Sequence, residues 1–306
     1  MPLASFWPGF KHQGEAEPVS DYHIRTLASA EVQRAVDWAA REGWNPGLQD
    51  AECFRVTDPD GFLGGFLGGE MIASVSVVNY DDSFAFLGFY IVRPEYRGAG
   101  HGLQLFRHAM THGKGRNVGL DGVVDQQENY RRSDFDFAYN NCRFGGTVAG
   151  ALKRLGNVHT GAVQPLSEVS GALKTYDRMM FPAPRDAFLA SWLGAAGHHS
   201  RVCLRGGDIK GYATLRPCLS GYKVGPLFAD DAGTARALLA SVLGAVPEGR
   251  KDQPVFIDMP APNARAFDLA GELGLEKSFE TVRMYTGDQP DIDLSRIYGV
   301  TTFELG

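Results

Sequence analysis

At 306 residues with 44% hydrophobic side chains, the chain is long enough for two domains and apolar enough for a full core. Its 36 acidic residues against 30 basic ones give a net charge of −6 with no long basic block, which argues against nucleic acid and suits a small amine or a basic peptide as partner. No apolar run approaches a membrane span, and residues 1–17, with Trp7, Pro8, Lys11 and Glu15 among them, lack a secretory apolar core, so no membrane partner is expected and the compartment is read as the cytoplasm.

A short strand is expected over 22–27, followed by a helix with Ser29 as its N-cap, an apolar stripe of Val32, Ala35, Val36 and Ala39, and Gly43 at its end. Residues 44–50 read as a loop. Residues 62–65 and 71–78 alternate as strands, Asp81-Asp82 makes a turn, and Phe84–Val92 is apolar at nearly every position, as in a strand buried on both faces.

After that strand come Arg93-Pro94-Glu95-Tyr96 and then Arg97-Gly98-Ala99-Gly100-His101-Gly102. A helical pattern follows over about 100–111, with Leu103, Phe106 and Met110 on one face and Gly113 and Gly115 beyond it. A glycine-rich turn opening a helix presents free backbone N–H groups and the positive end of the helix dipole, a seat for a pyrophosphate. The spacing is neither that of a dinucleotide fold nor that of a Walker loop, which needs Lys-Ser or Lys-Thr after the last glycine. The pattern R-x-x-G-x-G after a V-x-P strand end resembles motif A of the GCN5-related N-acetyltransferases, the GNAT superfamily. The resemblance implies acetyl-CoA as co-substrate, its pyrophosphate held by Arg97, Gly98, Ala99, Gly100, His101 and Gly102. It also implies that backbone groups near Ile91 and Val92 bond the acetyl carbonyl and the pantetheine arm. His101 is expected to face solvent.

A strand over 118–124, a helix over 126–133 and a strand over 135–144 complete the order β-α-β-β-β-α-β-α-β, which matches the GNAT core. The resemblance implies that the two parallel strands flanking the motif helix splay apart around pantetheine. Residues 145–176 read as a transition zone, and patterns restart near Asp177. The fold class is α/β with a mixed sheet, in two GNAT-like domains: 1–150, a linker 151–180, and a divergent 181–306. Cys53, Cys142, Cys203 and Cys218 form no C-x-x-C pair, and His198-His199 suits a loop or edge, so no metal is expected.

The second half repeats the first in order. Leu67-Gly68-Gly69-Glu70 pairs with Leu204 to Asp208, residues 71–78 with 209–216, Phe89 to Pro94 with Tyr222 to Pro226 (each ending in Val-x-Pro), 103–110 with 234–243, and 118–124 with 255–258. Tyr130-x-x-x-Asp134-Phe135 pairs with Ala270-x-x-x-Gly274-Leu275. The second copy carries Asp230 and Asp231 where a phosphate loop would be basic and glycine-rich; they suit a helix cap and repel a pyrophosphate. The whole chain resembles the tandem-GNAT proteins of the YitH-like group, on residues 129–146 and on the closing stretch Ile297 to Gly306 (I-Y-G-V-T-T-F-E-L-G). Asp134 stands where most GNATs have glycine, which is expected to shift that turn.

Acetyl transfer needs a neutral amine and a proton for the departing thiolate. By its match to the GNAT pattern, Tyr130 is the expected general acid, and Ala270 at the equivalent place leaves one active centre per chain. The base stays open among Glu52, Glu70, Asp81, Asp121 and Asp125, or a water chain. The expected activity is N-acetyl transfer to the primary amine of a small molecule by direct attack in a ternary complex. The alternatives are a non-catalytic acyl-CoA-binding or regulatory protein on the same fold, and a protein lysine acetyltransferase. Strand edges in such folds also suit a homodimer.

Overall fold

Residues 21–306 are described by a computed structural model; the reading of residues 1–17 lies outside them. The first half runs β1 (Tyr22–Thr26), α1 (Ser29–Arg41), α2 (Asp50–Arg55), β2 (Phe62–Leu67), β3 (Glu70–Asn79), β4 (Phe84–Val92), α3 (His101–His112), β5 (Asn117–Val123), α4 (Gln127–Arg131) and β6 (Asp136–Thr147). The α1 stripe is buried as expected, but Ser29 is not the cap. Ala28 holds that place, and its N–H donates to Glu31 Oε2 at 2.8 Å. α2 begins at Asp50, the last residue of the stretch read as a loop, and runs on to Arg55. On α3 the buried side chains are His101, Leu105, Phe106 and Ala109, while Leu103 and Met110 are half-buried.

The stretch read as transitional carries regular structure: α5 (Val148–Leu155), capped by Thr147 Oγ1, which accepts from the Gly150 N–H; β7 (Val163–Pro165); and α6 (Gly171–Asp177). α7 (Asp186–Gly194), β8 (His199–Arg205), β9 (Asp208–Pro217), β10 (Tyr222–Ala229), α8 (Ala232–Gly244), β11 (Pro254–Pro260), α9 (Ala264–Leu273), β12 (Glu276–Tyr285) and β13 (Ile297–Gly299) follow. The internal repeat is visible in the backbone. Phe135 N–H donates to Tyr130 O at 3.2 Å and Leu275 N–H to Ala270 O at 2.9 Å. Asp134 and Gly274 both sit at φ 63°. The aspartate therefore does not shift the turn; it adopts the left-handed conformation that glycine would take, which Asp tolerates better than most residues.

The strands form one mixed sheet among the described residues, in the order β1-β2-β3-β4-β5-β12-β6-β11-β10-β9-β8-β7. The two halves exchange their long late strands. β12 lies antiparallel between β5 and β6, with Val282 opposite Gly122 and Asn140, and β6 carries the ladder on to β11. Helices cover both faces. α3 packs on β2–β5 with Val282 and Met284 of β12 in the same core, while α1, α2 and α7 share another core around Phe54, Phe89 and Trp192.

β10 corrects the Val-x-Pro alignment. It does not end at Pro226 but shifts register between Val224 and Leu227 and continues to Ala229. Its parallel pairing with β11 covers only Tyr222–Val224 opposite Val255–Ile257. Past that point β13 fills the gap: it pairs with β10 at Leu227 and Phe228, Asn263 Nδ2 donates to Ile297 O at 2.9 Å, and Val300 N–H donates to Asp258 O at 2.8 Å. Residues 300–306 then cross, fully buried, to the first half. There a Cβ on Gly88 would stand 2.2 Å from the Glu304 carbonyl oxygen. Gly88→Ala should accordingly cost about 1–3 kcal/mol of stability, read as a lower urea midpoint at unchanged m-value.

Candidate active site

The parallel ladder between β4 and β5 runs from Phe84↔Asn117 to Leu87↔Leu120 and stops. Both strands continue, β4 to Val92 and β5 to Val123, and a cavity of 720 Å³ opens between them. The opening is built by a bulge that apolar patterning did not reveal. Ser76 lies opposite Gly88 and Ser74 opposite Ile91, so two residues of β4 span one of β3. Phe89 in the bulge has φ 48°, and the Ser74 hydroxyl donates to its carbonyl at 2.9 Å. From Gly88 to Val92 is about 13 Å at 3.3 Å per residue, the depth of the fork.

The glycine-rich turn stands at the mouth. Gly98 and Gly100 have φ 82° and 85°, a conformation open to glycine, and Gly98, Ala99 and Gly100 are exposed. Gly100 is the N-cap of α3 without a capping side chain, and its carbonyl accepts the first helical bond, from Gln104 N–H at 3.1 Å. The N–H groups of His101, Gly102 and Leu103 thus have no acceptor within the helix. A Cβ on Gly102 would stand 2.7 Å from Val92 Cγ2, so a glycine is needed for α3 to lie this close to β4. The Arg97 guanidinium donates to Val92 O at 2.7 Å and to Glu42 Oε1 at 2.9 Å, which ties the turn to β4 and α1. Ile91 is buried, and Val92 lines the cavity. His101 does not face solvent. It is 7% exposed, its ring lies 4.6 Å from that of Tyr22, and Tyr22 OH donates to its carbonyl at 3.0 Å.

Tyr130 lines the cavity on the β5 side. A Cβ on Gly122 would be 2.4 Å from its ring, so the glycine lets the tyrosine lie against the strand. Burial pushes its hydroxyl up to about 12, so it keeps its proton at neutral pH. Of the carboxylates left open as bases, Glu52, Glu70 and Asp81 do not line the cavity. Glu70 pairs with Arg93, and Asp81 closes its own turn through Ser83 and Phe84. Asp121 lines the cavity but is gripped by Arg283 at 2.9 and 2.6 Å and by Asn141 at 2.8 Å. Asp125 is exposed at the rim.

The inner end of the cavity was not legible as a site. Trp44, Phe279 and Phe303 wall it, and Arg143 and Glu304 supply charge. Behind them stand the buried pairs Arg143–Asp258, at 2.6 and 2.8 Å, and Arg216–Asp50, at 3.1 Å, together with Lys223, whose ammonium donates to Trp44 O at 2.9 Å. Burial holds the Lys223 amine below its usual range. Arg143 and Glu304 both fall within the two stretches that carry the tandem-group resemblance, the only signal pointing to them. Among the described residues no cluster of His, Cys, Asp or Glu is placed to hold a metal ion. Asp231 caps α8 by accepting from Thr234 N–H at 2.7 Å, and Asp230 accepts from Tyr176 OH at 2.9 Å.

Comparison with known proteins gives the family. Residues 24–135 match the Acetyltransferase (GNAT) family and residues 173–299 an Acetyltransferase (GNAT) domain. Holothin acyltransferase of Pseudoalteromonas sp. (strain SANK 73390) is 35% identical over 276 residues, 90% of this chain and 92% of that one. A Pyrococcus horikoshii protein assigned as an acetyltransferase superposes with a TM-score of 0.79 at 19% identity, over 97% of this chain and 100% of its own. A tandem GNAT protein from the clavulanic acid biosynthesis pathway gives 0.62 at 12% identity, over 88% and 100%. The last two show the fold.

The exchanged strand makes the cavity wall testable. Asp121→Asn would leave the Arg283 guanidinium, only 5% exposed, without its counter-charge. It should cost about 3–5 kcal/mol, measured by chemical denaturation.

Proposed function

The chain belongs to the GNAT acetyltransferase family, and on that footing we propose that it carries an acetyl group from acetyl-CoA to the primary amine of a small molecule, by direct attack in a ternary complex. The observation that carries this reading is the fork itself. Amides with no acceptor in the helix stand at its mouth and aromatic walls line its inner end, within one cavity.

The residues present fit the coenzyme. The free N–H groups at the start of α3 suit a pyrophosphate, with Gly98, Ala99, Gly100, His101 and Gly102 keeping the backbone accessible and Arg97 holding the turn in place. Ile91 and Val92 offer backbone edge to the pantetheine arm. Tyr130, protonated and half-buried on the opposite wall, is the donor to the departing sulfur. Acetyl-CoA supplies the activated acyl group; the chain supplies position and proton handling.

A compact acceptor is favoured because the inner walls come from both halves, Trp44 from the first and Phe279 and Phe303 from the second. The name of the 35%-identical relative, an acyltransferase of holothin, supports the same reading. The units 1–150, 151–180 and 181–306 serve it as one catalytic module, one connection and one module that closes the chamber. A homodimer through strand edges is compatible with it.

Three measurements test this. Release of free thiol from acetyl-CoA should occur with at least one member of a primary-amine panel; tight CoA binding without turnover would favour the non-catalytic reading. Gly100→Glu, which forces a side chain into the left-handed region and sets an anion in the phosphate seat, should abolish CoA binding in calorimetry. Asp230→Ala should leave it near wild type, and loss there would move the coenzyme to the other half. Tyr130→Phe should lower kcat by about 10²-fold with CoA affinity unchanged.

A further inference from the structure

Among the described residues, the cavity carries four carboxylates apart from Glu304. Asp121 is held by Arg283 and Asn141, Glu42 by Arg97, and Glu280 by Asn140 and Lys277, while Asp125 stands in solvent at the rim. Glu304 differs from all of these. It is 3% exposed, it lines the cavity, and its Oε2 has no hydrogen-bond partner among the described residues. A buried carboxylate oxygen without a donor is costly unless something else supplies the donor.

Its position is fixed by the chain around it. The Thr301 carbonyl accepts from Arg216 at 3.3 Å and the Thr301 hydroxyl from Arg185 at 2.8 Å. Leu305 N–H donates to Thr302 Oγ1 at 2.9 Å, and Tyr80 OH donates to Leu305 O at 2.8 Å. The Glu304 backbone lies against Gly88, the first residue of β4 past the ladder. The carboxylate is thus held at the inner end of the fork, away from the glycine-rich turn. An acyl group carried on a pantetheine arm that enters at the mouth would come to rest there.

We propose that Glu304 is the general base of the reaction, taking a proton from the ammonium form of the acceptor at the apex of the fork. The inference rests on the acyl-transfer reading above. The steps balance. The acceptor enters as an alkylammonium, and one of its protons passes to Glu304 Oε2. The freed amine nitrogen bonds to the acyl carbon, the carbon–sulfur bond breaks, and its electron pair leaves on sulfur. Tyr130 gives its proton to that sulfur and regains one from the nitrogen as the amide forms. Glu304 later returns its proton to solvent.

The charges around the carboxyl suit this task. Burial, the largest influence, raises it above the ordinary glutamate range, and Asp50 on α2 adds to the rise. Lys223 on β10, Arg143 on β6 and Arg216 on β9 pull it down, and β4 meets it through backbone at Gly88. Asp258 on β11 faces those same cations, and Cys218 beside them is held as a neutral thiol by burial. A base raised toward the working pH is a better proton acceptor from an ammonium than an ordinary carboxylate.

The test is kcat/KM against pH for wild type, Glu304→Gln and Glu304→Asp, using an amine found active with the wild type. At pH 7, Glu304→Gln should be down about 100-fold, with the deficit shrinking as pH rises toward the pKa of the amine, where the free base needs no deprotonation. A weakly basic aryl amine should show a smaller deficit at pH 7 than an alkyl amine. Glu304→Asp should keep the wild-type acid limb at reduced rate, and it stands in if the glutamine variant does not fold. A deficit that is absent, or constant across pH and across the two amines, overturns the assignment, as does loss of the acid limb in Asp125→Asn instead. Absence of turnover by the wild type with every amine would instead defeat the acyl-transfer reading on which the assignment rests.

Discussion

A parallel ladder that stops while both strands continue leaves backbone donors and acceptors facing an opening, and such groups must be satisfied. The chain presents such an opening twice, once in each half, and the two are treated differently. Past Val224 and Ile257 the opening between β10 and β11 is closed by β13, which supplies the missing strand from within the chain. Past Leu87 and Leu120 the opening between β4 and β5 stays a cavity. One fork is thereby filled from within the chain, and the other is shaped for a ligand.

The same stretch of chain links the two outcomes. After filling the second fork, residues 300–306 run buried into the first and close its inner end against Gly88. The strand exchange has a parallel effect. β12 lends the first fork its outer neighbour, Arg283 on that strand neutralises Asp121 on β5, and Phe279 walls the chamber. The divergent half has no glycine-rich turn of its own, yet it supplies much of the acceptor end of the cavity. This accounts for a chain in which duplication is plain and only one half keeps the phosphate-binding pattern.

Local chemistry was legible in the sequence, and long-range partnership was not. β4 and α3 fall within a residue of their expected bounds because an unbroken apolar run and paired glycines are strong local signals. The alignment of Tyr130, Asp134 and Phe135 with Ala270, Gly274 and Leu275 held down to a shared left-handed turn, since that turn is specified by a few adjacent residues. Val-x-Pro misled, because Pro226 lies within β10 at a register shift rather than at its end. Apolar periodicity reports that a strand is buried but not beside which strand, so the placement of β12 between β5 and β6 carried no local mark. Arg143, Lys223, Asp258 and Glu304 escaped for a related reason. Each is one charge in an otherwise ordinary segment, and only the fold gathers them.

Calorimetric titration with CoA, followed by hydrogen exchange on the saturated protein, tests the unequal forks most directly. One site per chain is expected, with slowed exchange at the amides of residues 98–103 and 88–92 and none gained at residues 231–235. Two sites per chain, or protection gained at the start of α8 while residues 98–103 stay unchanged, would contradict it.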